Sequence, residues 1–116
     1  MNVMLADVER SALDSAVNSL HHYGPKVRGI GCDVADPGSV DTAAKAAFEA
    51  FGHVHVVCNN AGVAAGGGID NISLDNWRWV IDVNLMGVFH GIRSFLPHIR
   101  AQARAVTSST RRRWLA

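Results

Sequence analysis

Val54-His55-Val56-Val57-Cys58-Asn59-Asn60-Ala61-Gly62 is the stretch that decides how the rest of this chain is read. Its first five residues, rich in β-branched side chains, make a run of strand length. They stop at two asparagines, an alanine and a glycine, small residues that let a backbone approach a bound molecule closely. Standing alone, Asn-Asn-Ala-Gly reads equally well as a turn, because Asn and Gly dominate turns. Its position directly after an apolar strand favours the first reading.

The flanking chain repeats the pattern. Asp36-Pro37 starts a helix, since Asp36 can cap orphan amides and Pro37 suits the first helical position. That helix buries Val40, Ala43, Ala44, Ala47, Phe48 and Phe51, and Gly52 ends it. Before it, Val27 to Cys32 reads as a strand ending at Asp33, and Gly24-Pro25 as a break. Ala12, Leu13, Ala16, Val17 and Leu20 give one face to a helix from Glu9 to about His22. Asn2 to Ala6 is a first strand, ending at Asp7. Downstream, Gly66-Gly67-Gly68 forms a pliant loop able to border a ligand. Ser73 then caps a long helix striped by Trp77, Val80, Ile81, Leu85, Val88, Ile92, Phe95 and Ile99. Three strand–helix alternations predict an α/β fold with a parallel sheet.

Composition narrows the class. A hydrophobic content of 48% with 18% charged residues argues for a folded core rather than disorder. No apolar run approaches the ~20 residues of a membrane span, and Asp7 interrupts any leader-like start. Cys32 and Cys58 both fall in strand-like runs as buried, reduced thiols, so a cytoplasmic location is expected. The six histidines scatter without metal-ligand spacing, so no metal is expected. Residues 1–102 carry seven Lys/Arg and ten Asp/Glu, whereas residues 103–116 carry four arginines and no acid. That break predicts an irregular tail from 103; three adjacent arginines are weak grounds for nucleic-acid binding, and none is expected.

The apolar run with Asn59-Asn60-Ala61-Gly62, followed 22 residues after Gly62 by Asn84 in Val83-Asn84-Leu85, resembles the short-chain dehydrogenase/reductase family. Asp75 to Val80 and Gly87-Val88-Phe89-His90-Gly91 extend the likeness, which covers roughly residues 2–102. The resemblance implies a Rossmann-like three-layer αβα fold, a nicotinamide dinucleotide, and oxidoreductase chemistry on an alcohol or ketone. It assigns Asp7 to the adenosine ribose hydroxyls, which favours NAD over NADP because the carboxylate repels an extra phosphate. The bland alternative is a turn aspartate opening a helix. It sets Asp33 against the adenine amino group and the Val34 amide against a ring nitrogen, where a plain loop aspartate is the alternative. Asn60 lies against the ribose, with Ala61 and Gly62 as the floor. Asn84 sits at a helix kink and serves the catalytic proton relay, or else bonds to neighbouring backbone and specifies packing.

Two family motifs are not found in this chain. One is the Thr-Gly-x-x-x-Gly-x-Gly turn that binds pyrophosphate. The other is the catalytic serine with Tyr-x-x-x-Lys; the one tyrosine is Tyr23, and Val27 stands where a lysine would be needed. The expectation is a partial dinucleotide-binding domain over 1–102, inactive alone and marginally folded, followed by an aberrant tail over 103–116. A shifted reading frame can be written for that tail that looks like the family's next strand, so a frameshift product is one alternative. Another is a non-catalytic module that docks on a second copy or on an intact relative through the helix over 73–102. The family's sheet order also puts a strand between those ending at Asp7 and Cys58, leaving these two without a common neighbour.

Overall fold

The computed structural model describes the backbone of residues 1–109 and the side chains of residues 1–103. β1 (Val3–Asp7) and β2 (Val27–Gly31) pair in parallel, with Val3 opposite Val27 and Asp7 opposite Gly31. Parallel neighbours need a crossover. Here α1 (Arg10–Ser19) and a 3-10 segment (His21–Lys26) supply it. Gly24 turns that segment at φ 59°, a conformation glycine enters without steric cost.

Successive residues of β2 point to opposite faces. A methyl group on Gly29 would meet Leu13 and Val17 of α1, whereas Ile30 packs on Cys32, Val40 and Ala43. Helices therefore cover both faces, and the layering is the expected Rossmann-like αβα. α2 (Pro37–Phe51) begins as its sequence dictates, with the Asp36 carboxylate accepting from the Gly38 amide at 3.0 Å. It ends at Gly52, whose φ of 76° suits glycine and whose amide donates to Phe48 O at 2.8 Å. Val40, Ala43, Ala44 and Ala47 are buried, while Phe48 and Phe51 are half-buried.

Several expectations are corrected. Residues 54–58 form no strand, and the sheet among the described residues has two. Extended backbone becomes a strand only when a neighbour completes the ladder, and among the described residues 54–58 have none. Instead the Gln102 side chain accepts from the Val54 amide at 3.1 Å and donates to its carbonyl at 2.8 Å. Cys58 is accordingly exposed; only Cys32 is buried.

On α1 the predicted face is too wide. Leu13 is buried, Val17 and Leu20 half-buried, and Ala12 and Ala16 exposed. A sheet of two strands is about 10 Å across, no wider than one helix.

The long helix is also not uniform. α3 (Leu74–Ile81), capped by Ser73 Oγ on the Asn76 amide at 3.1 Å, leads into a π turn (Asp82–Met86) and then α4 (Gly87–Ser109). The extra residue of the π turn advances the face, so Val83, Gly87, His90 and Gly91 are buried. Trp77, Ile81, Leu85 and Ile92 of the predicted stripe are exposed. α4 continues past 102 as far as Ser109, where an irregular tail is expected. The remainder of that tail, 110–116, lies outside the described residues.

Candidate functional site

Parallel pairing brings the C-terminal ends of β1 and β2 to one edge, and the Cys32 amide donates to Asp7 O at 3.0 Å there. Asp7 is exposed, and its Oδ1 accepts from the Glu9 amide at 2.8 Å. That bond is the turn geometry of the bland reading, and it leaves the second carboxylate oxygen unused. Two residues beyond β2, the Asp33 amide donates to Ser39 Oγ at 2.9 Å, and Asp33 Oδ1 accepts from the Ala35 amide at 3.0 Å. The Val34 carbonyl accepts from His90 Nδ1 at 2.8 Å. Among the described residues nothing accepts from the Val34 amide. Burial pushes the Cys32 thiol above its ordinary pKa, against a lowering hydrogen bond with Ser39 and with smaller raising effects from Asp33 and Asp36.

In the next loop Asn60, Ala61 and Gly62 are exposed, and the Asn60 amide donates to Cys58 O at 3.0 Å. The Asn59 side chain lies on Gly91, where a methyl group would overlap it. Gly62 faces Asn84: a methyl there would stand 3.5 Å from Asn84 Oδ1. Asn84 itself occupies the middle of the π turn, the kink that the resemblance implies. Its Oδ1 accepts from the Val63 amide and its Nδ2 donates to the Val63 carbonyl, both at 2.8 Å. The glycine-rich loop then turns back toward α3. With Val63, Ile69, Ile72, Trp77 and Asn84 it borders an apolar groove of about 420 Å³.

The α3–α4 rod thus gathers the predicted residues. Asn84 reaches the Asn60–Gly62 loop, and one to two turns on, Gly87, His90 and Gly91 meet Val34 and Asn59. Asp7 joins through the sheet rather than the rod. Sequence reasoning passes over His90, one histidine among six, and Gln102. For His90 a signal exists, since it lies on the face shared by Val83, Gly87 and Gly91. For Gln102 there is none, because nothing local tells a glutamine on a helix that it faces free backbone.

Residues 1–110 match the sequence profile of a family described as short chain dehydrogenase. The 1-deoxy-11-beta-hydroxypentalenate dehydrogenase of Streptomyces avermitilis is 35% identical over 99 residues, covering 84% of this chain and 37% of that protein. A short chain dehydrogenase/reductase from Burkholderia phymatum, solved in complex with NAD, is 46% identical with a TM-score of 0.84, covering 88% of this chain and 36% of that one. An alcohol dehydrogenase from the archaeon Thermococcus sibiricus, complexed with 5-hydroxy-NADP, is 28% identical with a TM-score of 0.80 over 86% of this chain and 43% of that one. The chain spans 35% to 37% of the length of such curated relatives. With the profile matched over nearly all of its length, the chain belongs to the short-chain dehydrogenase family.

Proposed function

We propose that residues 1–102 hold the adenosine side of a nicotinamide dinucleotide within an oxidoreductase acting on an alcohol or carbonyl compound. The observation that carries this reading is the shared edge. Asp7 and Asp33-Val34 follow parallel neighbours, and Asn59 leans on the same helix that holds Val34. The groups available suit adenosine. Asp7 accepts from ribose hydroxyls through the oxygen that Glu9 leaves unused, and Asp33 accepts from the adenine amino group. The Val34 amide donates to a ring nitrogen, and Asn60, Ala61 and Gly62 let the ribose approach. Solved relatives carry NAD in one case and an NADP derivative in another; the Asp7 charge is the ground for preferring NAD here. When bound, the dinucleotide supplies hydride chemistry.

Asn84 is proposed for the proton relay. Its amide has two acceptor sites and two donor hydrogens, and Val63 takes one of each, which leaves one of each for a water. The 116 residues contain no Tyr-x-x-x-Lys, so they are proposed to bind without turning over by themselves. No helix among the described residues is long and apolar enough to cross a membrane; the compartment is proposed as cytoplasmic.

Calorimetric titration of the full chain tests the reading. AMP binds, nicotinamide mononucleotide does not, and 2′,5′-ADP binds more weakly than AMP until Asp7→Asn removes the repulsion. Failure of AMP to bind overturns it.

A second reading has its own observation. Trp77, Leu85, Phe89 and Ile92 are 45%, 61%, 54% and 47% exposed, an apolar surface suited to docking a second copy or an intact relative. Light scattering distinguishes the two states: Leu85→Glu turns a dimer into a monomer, and a wild-type monomer at all concentrations removes the self-association.

A further inference from the structure

His90 is 7% exposed and is the one buried polar side chain among the described residues. Its Nδ1 lies 2.8 Å from Val34 O, a contact spanning 56 positions of sequence. A carbonyl oxygen only accepts, so Nδ1 carries the hydrogen. Gly87, one turn before, leaves room for the Val34 side chain, since a Cβ there would come within 2.8 Å of Val34 Cγ2. Gly91, the next residue, leaves room for Asn59 in the same way. A single patch of α4 therefore fixes both loops that follow the strand-like runs.

We propose that His90 is a positioning residue for the adenine end of the site: by holding the Val34 carbonyl it presents the Val34 amide, with Asp33, already ordered for a ligand. The inference rests on the adenosine reading above. Asp33 is held from the other side by Ser39, so the Asp33–Ala35 turn is gripped between α2 and α4. A loop ordered before binding does not lose that freedom on binding, and affinity rises accordingly.

Three chains and two measurements test this. His90→Phe keeps a ring but removes the donor, whereas His90→Asn returns a donor near the place of Nδ1. AMP affinity is expected to fall on the order of tenfold in the Phe chain, the size of one lost ordering contact, and to recover in the Asn chain. Amide exchange at Ala35 and Asp36 is expected to quicken in the Phe chain alone, while Leu13, inside α1, stays unchanged in both. If the Phe chain loses protection at Leu13 it has unfolded, and Gly87→Ala replaces it. A methyl driven against Val34 must then weaken AMP binding while His90→Asn does not. Equal affinities in all chains, or equal losses in Phe and Asn, overturn the role of His90. No AMP binding by the unaltered chain overturns the site reading, and this inference with it.

Discussion

Residues 3–52 are built around a sheet ladder of their own, whereas residues 53–72 have no ladder and lean on a helix far along the chain. In the first region two strands exchange backbone hydrogen bonds, Leu13, Cys32, Val40 and Ala43 are buried beside the sheet, and Ala44 and Ala47 of α2 are buried as well. In the second, Gln102 grips Val54 and Asn84 grips Val63, each through one donated and one accepted bond. A side-chain amide offers a donor and an acceptor, as a neighbouring strand does. It serves one residue, though, where a strand serves five or six. Val56, between the two grips and two residues from the first, is 70% exposed. Apolar sequence disposes backbone to be extended; only a partner of matching length makes it a strand.

The largest expected effect separates the two regions by packing. Leu13, 3% exposed, is expected to cost ~2–4 kcal/mol on Leu13→Ala, enough to abolish cooperative unfolding in a thin core. Val56→Ala is expected to stay within ~0.5 kcal/mol. Urea denaturation of both variants decides, and equal losses would mean that 53–58 is packed rather than held at its ends. Next comes Gln102→Ala, which removes two part-buried bonds worth ~0.5–1.5 kcal/mol each. Amide exchange should quicken at Val54 and not at Leu5, and quickening at both would make the regions one cooperative unit. Gly52 joins the two regions at φ 76°, and Gly52→Ala is expected to cost ~1 kcal/mol through strain at that hinge.

The smallest effect is chemical. Burial raises the Cys32 thiol in the folded chain, so the unfolded thiol ionises first. Stability from this group is intact at neutral pH and declines as pH climbs past about 8.5. Cys32→Ser should flatten that decline, read from denaturation midpoints at successive pH values. Alkylation gives the matching contrast, reaching exposed Cys58 before buried Cys32.

Local signals were legible in the sequence. Asp36-Pro37, Gly52, Gly24 and Ser73 begin, end or interrupt elements through bonds and torsions spanning a few residues, and each does so where expected. The strand over 54–58 was not legible as absent, because pairing is decided by a segment elsewhere. The stripe of the long helix shifted because a constant 3.6-residue period does not register the inserted residue of a π turn. Of the candidate site, the residues and their order could be read, but not that Asn84 spends half its amide on Val63 or that His90 holds Val34.

By itself the sequence determined the family, the parallel strand–helix alternation and the set of polar and small residues at the strand ends, since these depend on residue type and spacing along the chain. Only the tertiary structure decided which extended segment became a strand, which helix face was buried and which side chains grip the loops. Those outcomes depend on hydrogen-bond partners dozens of residues away, and no local pattern specifies whether such a partner is within reach.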